Sequence, residues 1–133
     1  VADRYFSPAD VEKLIPSLTR IMNDVMTAHT EATRARERLQ AEKQRLAFAG
    51  GGVLDRAAWR ADTEIVEQLT RRVRAGLDKV VRLGGVPKDL GLGLVDFPHL
   101  RDGEEVHLCW KYGEREIGHW HGLDEGYGAR KPL

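Results

Sequence analysis

The sequence predicts an α+β fold: a long antiparallel two-helix hairpin, then a small three-stranded antiparallel β-meander and an irregular tail. Three observations predict it. Apolar and small residues recur at steps of three and four through the first 85 positions, which is the seam of a helix pair. Glycine runs at 50–52 and 84–85 interrupt that seam twice. Beyond Gly91 the apolar period falls from helical to twofold, the period of a strand.

The first helix opens at Ser7-Pro8-Ala9-Asp10. The serine hydroxyl can cap, the proline sits where its missing N–H costs nothing, and the acid faces the positive end of the helix. Phe6 and Val11 are spaced for a hydrophobic staple. The seam then reads Val11, Leu14, Leu18, Ile21, Val25, Ala28, Ala32, Ala35, Leu39 and Leu46. Pro16 removes one backbone hydrogen bond and is expected to bend the helix. The glycines at 50–52 end it.

A second helix starts at Asp55, another capping residue, with Leu54 and Trp59 placed for a second staple. Its seam is Trp59, Asp62, Val66, Leu69, Val73, Gly76, Val80 and Leu83, broadened by Ile65 and Leu77, and Gly84, Gly85 and Pro87 stop it. A short loop makes the helices antiparallel, and counting outward from it sets Val80 opposite Val25. At about 1.5 Å per residue the first helix spans roughly 60 Å and the second roughly 40 Å, so the first helix outruns its partner. Its projecting turns carry Val11, Leu14, Ile15 and Leu18. The C-terminal sheet or a second copy of the chain must cover them, and a homodimeric four-helix bundle is the expected assembly.

Three strands are expected near 93–97, 105–112 and 115–121, with turns at Arg101-Asp102-Gly103 and Gly113-Glu114. In the middle strand Val106, Leu108, Trp110 and Tyr112 alternate with Glu105, His107, Cys109 and Lys111, so the aromatic set should face the helices. Residues 1–85 and 86–133 are expected to form one composite domain, because 133 residues bury one core.

The charge balance excludes some functions. The 21 basic and 21 acidic residues cancel, so no overall field draws the chain to nucleic acid or an anionic membrane. The arginines at 34, 36, 38, 71, 72, 74 and 82 alternate with acids at helical spacing, the pattern of an ion-paired surface rather than a phosphate-binding stripe. No apolar run approaches the roughly 20 residues of a membrane span, and no signal-peptide profile opens the chain. A single cysteine, Cys109, excludes an internal disulfide and a multi-cysteine zinc site. A cytoplasmic location is the expectation that fits.

The chemistry-bearing residues gather in the second half. His119-Trp120-His121 is an H-x-H pair, whose imidazoles point to one side of an extended strand as in several metal sites. His107, His99 and Asp96 are the available third ligands, and two histidines with one carboxylate would hold a divalent transition metal such as zinc with positions left open. A three-residue turn would place both histidines beside His107 and Cys109; a turn of two or four would turn them to the Trp110 face. Against this stands a structural reading: His119 as a surface residue, His121 capping the following turn through Asp124 or Glu125, and Trp110 and Trp120 in the core. Cys109 reads as a buried apolar residue rather than a nucleophile.

The chain resembles a bacterial family known as domain of unknown function 2203. The pieces that carry the resemblance are Arg4-Tyr5-Phe6, Leu14-Ile15-Pro16, Gly93-Leu94-Val95-Asp96-Phe97-Pro98, Leu108-Cys109-Trp110, Gly113-Glu114, Trp120-His121 and Gly126-Tyr127 with Arg130 and Pro132. The resemblance covers almost the whole length and brings no reaction with it. Its pattern contains the Trp-His pair without a histidine two residues earlier, which shifts interest from His119 to His121, Asp96 and Arg130. Three functional readings follow: a dimeric interaction protein presenting the meander to a protein partner; a metal- or small-ligand-binding protein, of which a metal-dependent hydrolase is one form; and, third, weak nucleic-acid binding by the helix arginines.

Overall fold

The computed structural model describes residues 2–50 and 52–133, so Gly51, in the predicted helix-ending glycine run, lies outside the described residues. The element order is α1 (Pro8–Phe48), α2 (Arg56–Arg82), β1 (Val86–Asp89), β2 (Leu94–Arg101), β3 (Glu104–Lys111), β4 (His119–His121) and β5 (Lys131–Pro132).

Local chemistry sets the helix ends where the sequence places them. Ser7 Oγ accepts from the Asp10 amide while the Asp10 carboxylate accepts from the Ser7 amide, a reciprocal capping box. Asp55 accepts from the Ala58 amide at the start of α2. Gly50 and Gly84, at φ +67° and +98°, turn the chain out of the helices in a conformation that side chains rarely adopt. α1 continues unbroken through Pro16.

The helices pack about one turn away from the register counted from the loop. Val25 lies on Gly76, where a Cβ would stand 2.3 Å from Val25 Cγ2, rather than opposite Val80. Closest approach is won where one helix lacks a side chain, and that contact overrides a register guessed from loop length.

The sheet runs β1-β2-β3-β4-β5, each strand antiparallel to the next. β2 and β3 are the long central pair, joined by Asp102 and Gly103 with both φ positive, the two-residue hairpin turn that Asp-Gly favours. The three-strand expectation needs correction at the edges. β1 is a four-residue strand containing Pro87, and the expected strand at 115–121 is confined to His119–His121. The tail is partly ordered: a 3-10 turn at Tyr127–Ala129 leads into β5, whose Lys131 pairs with Trp120. Edge strands this short carry no readable alternation; the neighbouring strand's hydrogen bonds define them.

One core joins helices and sheet. Val11, Ile15, Leu18, Met22 and Val25 of α1 and Val80 of α2 meet Val95, Phe97, Leu108, Trp110 and Ile117. Leu14 is half-buried at its margin. The projecting turns of α1 are therefore covered by the chain's own sheet, so bare apolar turns no longer argue for a second copy. The N-terminal segment is pinned across β2 and β3 by the Phe6 amide on the Pro98 carbonyl (2.7 Å) and Tyr5 Oη on Glu105 Oε1 (2.8 Å).

Candidate metal centre

The alternation of the central strands sorts the polar residues by face. The Asp102-Gly103 turn pairs Asp96 with Cys109, and β4 pairs His107 with His121 and Leu108 with Trp120. Asp96, His107, Cys109 and both β4 histidines therefore share the face turned away from the helices, the arrangement expected of a three-residue turn. The connection itself is longer, running from Tyr112 to Gly118.

On that face three side chains converge. Asp96 Oδ2 lies 3.0 Å from His121 Nε2 and 3.4 Å from His107 Nδ1. One ligand atom from each lies within 4.8 Å of the others. The side chains of Asp96 and His121 are each 3% exposed and that of His107 12% exposed. Two ligands bound about 2.1 Å from one ion stand about 3.0 Å apart at a right angle and about 3.4 Å apart at a tetrahedral angle, so the two distances from Asp96 match edges of a coordination shell.

The hydrogen bonding is selective. His121 Nδ1 lies 2.8 Å from the Gly122 carbonyl and must donate to it, which leaves Nε2 as the lone-pair nitrogen of the neutral ring. That nitrogen lies 3.0 Å from a carboxylate oxygen, two electron-rich atoms that stand this close when they share a cation, either a proton or a metal ion. A ring anchored through Nδ1–H to a backbone carbonyl is also how metal-ligating histidines are oriented. His107 Nδ1, buried 3.4 Å from the same oxygen, has no hydrogen-bond partner. Burial pushes the Asp96 carboxyl up, but interaction with His107 and the neighbouring charge of His121 outweigh burial and hold it below the usual carboxylate range.

The other sequence candidates fall outside the three. His99 sits on the helix-facing side, where its Nδ1 donates to the Phe6 carbonyl at 2.7 Å, so it secures the N-terminal segment and is corrected out of the ligand set. His119 shares the correct face but stands outside the converging group, paired with Pro132, its Nδ1 buried without a partner. Arg130 makes a different link: it donates to both Glu114 carboxylate oxygens (2.9 and 2.7 Å) and to the Cys109 carbonyl (3.3 Å), joining tail, turn and β3. Trp110 is fully buried, its Nε1 donating to the Glu114 carbonyl. Trp120 is half-buried, with the cations of Arg101 and Lys131 4.6 and 4.7 Å from its ring centroid. Burial first, and then the charge of Asp96, push the Cys109 thiol up to about 12, the opposite of an activated nucleophile. The turn after β4 is capped by Glu125, which accepts from the Gly122 amide, rather than by His121.

The helix arginines are partly tied down across the hairpin. Arg38 pairs with Asp62, Arg72 with Asp24, and Arg36 donates to Thr70. No helix among the described residues is long and apolar enough to cross a membrane.

A sequence signal for the convergence exists in the Asp-Gly turn. A two-residue turn at 102–103 fixes Asp96 opposite Cys109, and alternation then puts His107 on the same face. The placement of His121 has no such local signal.

No curated protein and no solved structure matches the chain. A family model does, over residues 4–133. The chain belongs to the family described as "Uncharacterized conserved protein (DUF2203)".

Proposed function

We propose that this protein binds a divalent transition metal ion, zinc by ligand type, through Asp96, His107 and His121. The observation that carries the reading is that His121 Nε2 lies 3.0 Å from Asp96 Oδ2, both side chains buried, while Nδ1 is committed to a carbonyl. One carboxylate with two imidazoles is a donor set for zinc or a neighbouring first-row ion, and it leaves coordination positions for water or a small ligand. The ion would fasten β4, a three-residue strand, to the central pair of the sheet. An open position would make the bound ion a Lewis acid, the property on which a hydrolase reading depends.

Elemental analysis and zinc titration calorimetry on tag-free full-length protein test this. About one ion per chain is expected, with affinity falling 10- to 100-fold or more when Asp96→Asn or His121→Ala removes a ligand. Binding should weaken as pH falls, because the imidazoles must be deprotonated to ligate. Protein that neither carries nor takes up stoichiometric metal would leave a proton as the bridging cation and end the proposal.

A second reading is a homodimeric interaction protein with the hairpin as its oligomerisation element. In its favour, no described residue from 36 to 68 is fully buried within the chain.

A further inference from the structure

Beyond the sheet the two helices run on as an arm with a small buried cluster, Ala28, Ala32 and Leu69, at its base. Its last buried residues are Ala32, Ala35 and Leu69; Leu39, Leu46, Trp59 and Val66 are half-buried, and Phe48 and Val53 at the tip are 94% and 89% exposed. Isolated helices of a few turns are marginal in water, and most helix stability comes from packing an apolar face.

One face of the arm has a specific pattern. A groove of about 540 Å³ runs along α2, floored by Leu54, Trp59 and Thr63. Four charges flank it in sequence order: Arg56 and Arg60 toward the tip, Glu64 and Glu67 toward the sheet. None of the four makes an ion pair among the described residues, whereas Arg38, Arg45 and Arg72 elsewhere on the hairpin are paired. A stripe that is basic in one half and acidic in the other is complementary to itself when reversed.

We infer that this face of α2 is the interface with a second copy of the chain, packed antiparallel about a two-fold axis level with positions 61–62. The inference rests on the dimeric reading above and names its surface. Reversal about that axis sets Arg60 against the partner's Glu64 and Arg56 against the partner's Glu67, each contact occurring twice, as a two-fold interface demands. Trp59 of each copy then covers the partner's Thr63, an aromatic anchor inside a charged rim. The two α2 dipoles oppose, which also favours the antiparallel arrangement.

Sedimentation equilibrium of the full chain at micromolar concentration, with circular dichroism confirming helix content in each variant, tests the pairing. The unaltered chain should be dimeric. Arg60→Glu alone and Glu64→Arg alone each set like charges together twice and should raise the dissociation constant roughly tenfold or more. Mixing the Arg60→Glu chain with the Glu64→Arg chain should recover most of that loss, because each altered residue then meets an opposite charge across the axis, a rescue that pairing of positions 60 and 64 within one helix would not produce. Trp59→Ala should weaken association without rescue. A strict monomer overturns both this interface and the dimeric reading; a dimer indifferent to the reversals overturns this interface alone.

Discussion

The two halves of the hairpin are made from one pattern and differ in what covers them. Near the sheet, Val11, Leu18, Met22 and Val25 are fully buried because Val95, Phe97, Leu108 and Trp110 close over them. In the arm the same three-four spacing, carrying Leu39, Leu46, Trp59 and Val66, leaves every side chain partly exposed. A seam states where a helix would bury itself, and burial depends on a third layer that the seam does not contain.

That contrast can be broken by mutation. The largest effect belongs to the covered half: Phe97→Ala removes a fully buried ring edge-on to Phe6 and should cost about 3–5 kcal/mol by urea unfolding. Next comes the helix contact at the inner end of the hairpin. Gly76→Ala would gain about 1 kcal/mol of helix propensity, but its Cβ would strike Val25, and a net loss of about 1–2 kcal/mol is expected. A gain in stability there would mean that the helices separate easily and that their close approach is not a constraint.

The polar face of the sheet should reveal itself through pH. The folded Asp96 carboxyl lies below its ordinary value, so its contribution is present above the unfolded pKa and is lost as pH falls through the folded one. Melting temperatures of metal-free protein should therefore fall through the acid range, and Asp96→Asn should flatten that fall while lowering stability near neutrality. Equal acid sensitivity in the two proteins would show that the carboxylate does not interact differently in the folded state. The smallest effect belongs to the arm: Phe48→Ser should change monomer stability by no more than about 0.5 kcal/mol, because the ring is 94% exposed. A larger loss would mean that the tip is packed in solution, and would itself argue for a partner there.

How much of this was legible depends on the range of the interaction concerned. Both caps, both helix-ending glycines and the Asp-Gly hairpin were readable because each is decided within about four residues. β1 and β5 were not, since Val86–Asp89 and Lys131–Pro132 carry no strand propensity of their own and pair only because β2 and β4 present free edges. The candidate centre falls between these cases. All three converging residues stood among the five considered, yet His99 and His119 could be set aside only once the faces of the strands and the pairing of β4 were known.

The sequence by itself determined a helical hairpin, a change to twofold period after Gly91, and a concentration of histidines in the second half, because side-chain period and turn chemistry are written locally. The tertiary structure alone decided that the sheet folds back over the projecting turns of α1, that Val25 meets Gly76, and that His121 arrives beside Asp96 and His107. Those outcomes depend on register across a long connection, where a shift of one residue turns each side chain to the opposite face and no short stretch of chain holds the information.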